Sequence, residues 1–134
     1  MAVPGARMKL MTLAALFVGL GLSQSNDCDT VDKCQEALKT NRRGSLIHFR
    51  IGEIYLLQGS YQDSANEFRA ALNGDIEPKW TEVWSRINLG KIFDITHQRE
   101  RALNEYRQAL RTKDDTRGAQ DEANKYIEAP YKLN

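Results

Sequence analysis

The stretch HFRIGEIYLLQGSYQDSANEFRAAL, residues 48–72, decides the fold, because residues 86–110, RINLGKIFDITHQRERALNEYRQAL, repeat its pattern. At a constant offset of 38 positions, Gly52 aligns with Gly90 and Phe68 aligns with Tyr106. An offset that holds across such unlike residue types indicates a structural repeat rather than a chance match.

Each copy predicts two amphipathic helices with a short turn between them. In the first copy Ile51, Ile54 and Tyr55 fall on one helical face. After the turn at residues 58–60, apolar and small residues recur at helical spacing over residues 61–72. His97 aligns with Gly59, so we interpret it as a turn residue, since His tolerates a positive φ better than most residues with a side chain.

This pattern resembles the tetratricopeptide repeat (TPR), which combines a glycine, two aromatic positions, a small residue and an alanine at fixed spacing. The first copy supplies Gly52, Tyr55, Ser64, Phe68 and Ala71, and the second supplies Gly90, Phe93, Ala102, Tyr106 and Ala109. The resemblance implies an all-α superhelix of paired helices. It also implies that Gly52 and Gly90 let the paired helices approach closely, with Ser64 or Ala102 at the crossing.

The rest of the chain extends this plan into one TPR-like domain over residues 26–134. Val31, Cys34, Ala37 and Leu38 match the second helix of the first copy at an offset of 34, which predicts a half-repeat at residues 29–40. Full repeats are expected at 45–72 and 78–111, and a capping helix at 116–128. Residues 131–134 are expected to fray.

Two helix starts can be predicted from single residues. Ser45 follows a break at residues 41–44 and is suited to cap the next helix. Pro78 fits the first turn of a helix, because it has no N–H to leave unpaired there.

The beginning of the chain, residues 1–25, predicts a secretory signal peptide. Arg7 and Lys9 precede Leu10–Leu22, a run without any charged residue, and Ser23 follows. The run is too short for a stable transmembrane helix. The alternative is that residues 1–24 form the missing first helix of the half-repeat, although such a helix should be amphipathic. We therefore expect an exported protein, periplasmic or secreted, with no stable membrane span in its mature form.

Nothing in the sequence predicts catalysis, a metal site or a cofactor. His48 lacks an acidic or cysteine neighbour at the helical spacing that metal ligands need, His97 falls in a predicted turn rather than within a helix, and no Gly-rich phosphate loop or nucleophile motif is present. The formal net charge is +1 without a basic stripe, so nucleic acid is not an expected partner.

Cys28 and Cys34 are the two cysteines of the chain. Within one continuous helix their Cα atoms would lie about 9 Å apart, too far for a disulfide. If Cys28 precedes the helix, the chain can curl back and a disulfide becomes possible, as an oxidising compartment would favour. The alternatives are a buried Cys34 with an exposed Cys28, or, least favoured, metal binding.

The resemblance also implies that the first helix of each repeat lines a concave binding face. The positions on that face are Leu46, Phe49, Glu53, Leu56 and Leu57 in the first copy, and Trp84, Ile87, Asn88, Lys91, Asp94 and Ile95 in the second. Exposed apolar residues there would favour a peptide with apolar anchors. The alternative is that residues 26–38 or the C-terminal helix cover Phe49 and Leu56.

These observations predict a non-catalytic adaptor that binds a protein or peptide partner and is a monomer or weak homo-oligomer. The alternative is a structural subunit of an envelope or secreted complex, whose repeat surface is permanently buried. An enzyme accessory or small enzyme is a third hypothesis, without a motif to support it.

Overall fold

The computed structural model describes residues 28–134, and the predicted signal peptide lies outside these residues. The described part of the chain is helical and contains no strand, which confirms the all-α prediction. Its elements are α1 (Val31–Leu38), α2 (Ser45–Leu57), α3 (Tyr61–Leu72), α4 (Trp80–Ile95), α5 (Arg99–Arg111), a short 3-10 helix (Thr116–Gly118) and α6 (Ala119–Glu128).

Helices α2 and α3 form a first hairpin, and α4 and α5 form a second one with equivalent contacts. The Ser60 N–H donates to the Tyr55 carbonyl at 2.9 Å, and at the aligned turn of the second hairpin the Gln98 N–H donates to the Phe93 carbonyl at 2.7 Å. Gly59 has a φ of 76° and His97 a φ of 61°, so the left-handed turn predicted at His97 is present.

The close approach of the paired helices depends on the two aligned glycines. A Cβ atom added at Gly52 would lie 2.9 Å from the ring of Phe68, and one added at Gly90 would be closer still to Tyr106. The Ser64 hydroxyl donates to the Gly52 carbonyl at 2.7 Å, which ties the two helices at their crossing. In each hairpin an aromatic ring of the second helix therefore fills the space that a glycine of the first helix leaves open.

The structure corrects both predicted helix starts. Ser45 does not cap α2: its hydroxyl donates to the Ala71 carbonyl at 2.6 Å and accepts from the Ile76 N–H at 2.8 Å. It therefore joins the start of α2 to the end of α3. Pro78 lies before α4, which begins at Trp80, and the Pro78 carbonyl accepts from the Thr81 hydroxyl at 2.7 Å.

Two hydrophobic clusters stabilise the described residues. The larger runs through both hairpins and α6, with Phe68 and Tyr106 fully buried. The smaller joins α1 to α2 through Ile47 and Ile51 and includes a disulfide between Cys28 and Cys34, whose Cα atoms lie 5.1 Å apart. Cys28 precedes α1, so the chain curls back as the disulfide alternative requires. The short helix α1 is thus held by a small apolar cluster and one covalent link.

Candidate functional site

The structure divides the predicted concave face into buried, internally bound and accessible residues. Phe49 is 3% exposed and Ile87 is fully buried, so neither can anchor a partner as expected. The physical reason is that Phe49 packs edge-to-face against Phe68 and Trp80, at ring distances of 5.4 and 5.2 Å. Both residues belong to the core between the hairpins.

Trp84 and Lys91 bind the C-terminal segment, residues 116–134. The Trp84 indole N–H donates to the Thr116 carbonyl at 2.9 Å, and the Lys91 Nζ pairs with Glu122 at 3.0 Å. The Lys91 ammonium also lies over the rings of Tyr126 and Tyr131, 5.4 and 5.2 Å from their centroids. The prediction that these two side chains face a partner is therefore corrected, because Trp84 binds the 3-10 helix and Lys91 binds α6 and the tail.

Leu46 lies apart from the other predicted residues, near the beginning of α2. It lines a shallow depression with Asn41, Asp75 and Pro78, in the loops that flank the first hairpin. The structure therefore does not bring Leu46 together with Glu53 and Leu56.

The residues of the predicted concave face that stay accessible line a cleft of about 510 Å³ along the second half of α2, which we name the α2 groove. Its lining is Cys28, Arg50, Glu53, Ile54, Leu56, Leu57 and Asn88. Leu57 is 89% exposed, so its apolar side chain is open to solvent at the end of α2. Asn88 reaches the groove from α4, although the residue is only 8% exposed.

The polar side of the α2 groove carries a charge pair. The Arg50 Nη1 lies 3.0 Å from the Glu53 Oε1, and the Glu53 side chain is 41% exposed. Such an exposed pair contributes little to folding. The Glu53 carboxylate is therefore accessible to a polar or cationic group of a ligand that contacts the apolar residues beside it.

Ile54 was expected on the packing face alone, yet this residue also lines the groove. It packs partly against the α1 cluster with Tyr55 and turns its remaining surface outward. No signal in the sequence separates these two roles, because the outward surface exists only where α1 stops covering α2.

Asp94 is a buried carboxylate that connects three parts of the structure, namely α4, α5 and the C-terminal tail. Its side chain is 1% exposed and accepts from Arg99 at 3.0 Å, from the Tyr106 hydroxyl at 2.8 Å and from the Tyr131 N–H at 3.0 Å. Burial, followed by the hydrogen bond to Asp94, raises the pKa of Tyr106 well above its usual range. The expected fraying from residue 131 is wrong at Tyr131, because this hydrogen bond holds it. The sequence placed Asp94 on the concave face, at the position that Leu56 has in the first copy, and this prediction is wrong because internal partners surround the buried carboxylate.

The described residues offer few elements of a chemical site. Within residues 28–134, no group of three or more His, Cys, Asp and Glu side chains is placed to hold a metal ion. Over the same range, no helix combines the length and the apolar composition needed to cross a bilayer. Of the predicted concave-face residues, Glu53, Leu56 and Asn88 meet in the α2 groove, which we therefore take as the candidate binding site.

Comparison with known proteins adds no relative: no family model, no curated protein and no solved structure matches this chain.

Proposed function

We propose that this chain is an exported, non-catalytic adaptor of the TPR type that binds a protein or peptide partner through the α2 groove. The observation that carries the proposal is the apolar surface formed by Leu57 and Leu56 next to the accessible carboxylate of Glu53. Apolar surface of this kind, bordered by polar groups, is typical of a protein interaction site.

The TPR type is supported by contacts that recur at the same spacing in both hairpins. A glycine faces an aromatic ring in each hairpin, and the turn hydrogen bond recurs at the aligned position. Helix α6 packs on the second hairpin as α4 packs on the first. Stacked helical pairs of this kind build the extended surfaces that repeat proteins use for binding.

Export is supported by two features at the beginning of the chain. The charged start and the apolar run of residues 10–22 are typical of a secretory signal. The disulfide between Cys28 and Cys34 is of a kind that persists in oxidising compartments and is rare in the cytosol.

The groove chemistry defines the class of ligand. Leu56 and Leu57 fit apolar side chains, the Asn88 amide can hydrogen-bond a peptide group, and Glu53 can accept from a basic residue. We therefore propose as partner an extended or helical peptide segment with two apolar anchors and a neighbouring Lys or Arg.

Affinity capture from the secreted or envelope fraction of the native host tests this proposal. The comparison is between the wild-type chain, Leu57→Glu and the matched control Gln62→Glu, which places the same new charge on an exposed position of α3. We expect a partner that the wild type and Gln62→Glu retain and that Leu57→Glu loses, with unchanged circular dichroism. If Leu57→Glu still captures the partner, the partner binds at a site other than the α2 groove.

The second candidate is a structural subunit whose α2 groove is permanently covered. The 89% exposure of Leu57 favours it, because a stable complex would bury this side chain. Light scattering over a hundredfold concentration range separates the two functions. The adaptor should stay monomeric alone, whereas a self-assembling subunit should gain mass with concentration, and Leu57→Glu should reverse that gain.

A further inference from the structure

The two hairpins carry ion pairs at equivalent positions, but only one of the two cations can lose its charge near neutral pH. In the first hairpin the His48 Nδ1 lies 2.9 Å from the Glu67 Oε1. At the aligned positions of the second hairpin, the Arg86 Nη1 lies 3.0 Å from the Glu105 Oε1. Each pair joins the first helix of its hairpin to the second. Arg stays protonated at any pH at which proteins fold, whereas the ordinary pKa of His lies at about 6.5.

Both nitrogens of the His48 ring face hydrogen-bond acceptors. Nδ1 faces the Glu67 carboxylate, and Nε2 lies 3.3 Å from the Arg42 carbonyl. A neutral imidazole has a single N–H and can donate to only one of these acceptors, whereas the imidazolium has two N–H groups and satisfies both. The geometry of the site therefore matches the protonated ring.

The site is shielded enough for this difference to matter. The side chains of His48 and Glu67 are 16% and 26% exposed, so losing the ring proton would leave a half-buried carboxylate and a carbonyl competing for one donor. The equivalent Arg86 and Glu105 side chains are 30% and 13% exposed. The two ion pairs thus have similar solvent exposure and differ mainly in the cation, which is His in the first hairpin and Arg in the second.

Several other charged groups on the elements around α2 have partners of their own. In α1, Lys33 pairs with Asp29 and Lys39 pairs with Glu36. In α2 itself, Arg50 contacts Glu53.

Charged groups in the loops beside α2 and in α4 also have partners within the structure. Arg43 donates to the carbonyls of Asn73 and Gly74, and the Asp75 carboxylate accepts from the Ser45 N–H. In α4, Lys91 pairs with Glu122, and Arg86 with Glu105 as described. Glu67 is therefore the carboxylate that the structure places against the His48 ring.

We propose that His48 makes the first hairpin a pH-sensitive unit: the protonated ring joins α2 to α3 through Glu67 and to the preceding loop through the Arg42 carbonyl, and loss of the proton loosens this hairpin while the second stays closed. This inference goes beyond the proposed function, and it concerns the hairpin whose α2 carries the groove.

The direction of the effect follows from linkage. The hydrogen bond to Glu67 raises the pKa of His48 above its ordinary value, although burial opposes the rise. A group whose pKa is higher in the folded state stabilises that state fully at pH values below its unfolded pKa. That stabilisation is lost as the pH rises through the folded pKa. The first hairpin should therefore be tighter at mildly acidic pH than at mildly alkaline pH.

Hydrogen exchange of the full-length chain at pH 5.5 and pH 8.0, corrected for intrinsic exchange rates, measures the opening of each hairpin separately. We expect opening of residues 45–72 to increase several-fold at the higher pH relative to residues 80–111. In His48→Arg this difference should disappear, and in Arg86→His residues 80–111 should acquire it. An equal response of both hairpins in the wild type, or a response that His48→Arg retains, overturns the proposal.

An NMR titration of the His48 ring tests the proposal even if one of the variants above does not fold. In His97→Asn, whose side chain is suited to the left-handed turn at this exposed position, no second histidine remains and the NMR signal of the His48 ring reports its own protonation. A ring pKa above that of a model histidine peptide, lowered when Glu67→Gln is added, supports the proposal. A ring pKa at or below the peptide value overturns it, and neither result depends on whether the α2 groove binds a partner.

Discussion

Gly90 lies beneath the ring of Tyr106 so closely that even a Cβ atom at this position would overlap the ring. The hydroxyl of the same tyrosine donates to the buried carboxylate of Asp94, one helical turn after Gly90. The Tyr106 ring therefore packs directly on the backbone of Gly90, and its hydroxyl is held by the Asp94 carboxylate. Tyr106 cannot move aside to admit a larger residue at position 90.

Replacing Gly90 with Leu should destabilise the chain by at least about 1–3 kcal/mol, because overpacking a fixed crossing forces the two helices apart. Thermal unfolding followed by circular dichroism measures the loss. The control is Gly59→Asn, at a turn with a φ of 76° and open space around it, where Asn tolerates the left-handed conformation. If Gly90→Leu and Gly59→Asn unfold at the same temperature, the two glycines do not have the different roles described above.

The paired helices could be predicted from the sequence because the features that specify them are local and occur twice. Gly52 with Phe68, and Gly90 with Tyr106, fix which helix packs on which, and His97 at the position of Gly59 locates the second turn. Agreement between two independent copies removes the ambiguity that a single amphipathic pattern leaves.

The accessible face could not be predicted in the same way. A helical pattern shows that Phe49 and Leu57 are both apolar, but not that α4 covers the first and leaves the second exposed. The same limit applies to Lys91, whose ammonium contacts the aromatic rings of a C-terminal segment distant in sequence. These outcomes depend on how successive helices are stacked, which no local pattern encodes.

Truncating Phe49 and Leu57 in turn should distinguish a core residue from a groove residue by their effects on the free energy of unfolding. Phe49→Ala should lower the free energy of unfolding by about 3–5 kcal/mol, because it opens a cavity between the hairpins. Leu57→Ala should change it by less than about 0.5 kcal/mol, since solvent already surrounds this side chain. Urea unfolding monitored by tryptophan fluorescence gives both values. Comparable losses for the two variants would mean that Leu57 is packed in solution.

Replacing Asp94 with Asn should weaken the attachment of the C-terminal segment. The change leaves Arg99 without its anionic partner and offers Tyr106 and Tyr131 only a neutral acceptor, at an expected cost of about 2–3 kcal/mol. Hydrogen exchange should show the largest gain in opening at residues 119–131. The control is Glu36→Gln, which breaks the exposed pair with Lys39 and should leave stability unchanged. Unchanged exchange in the Asp94→Asn variant would contradict the role of Asp94 as the contact that joins α4, α5 and the tail.

The last prediction concerns the pair that fastens α6 to α4. Lys91→Glu places a carboxylate beside Glu122 and against the rings of Tyr126 and Tyr131, where the negative faces of the rings disfavour an anion. We expect a loss of about 2 kcal/mol, measured by urea unfolding, together with faster exchange in residues 119–128. The double variant Lys91→Glu with Glu122→Lys restores opposite charges and should recover only part of that stability, because the cation then lies outside the ring cluster. Full recovery would show that the ion pair acts alone, and no loss in Lys91→Glu would show that α6 is held by its apolar contacts.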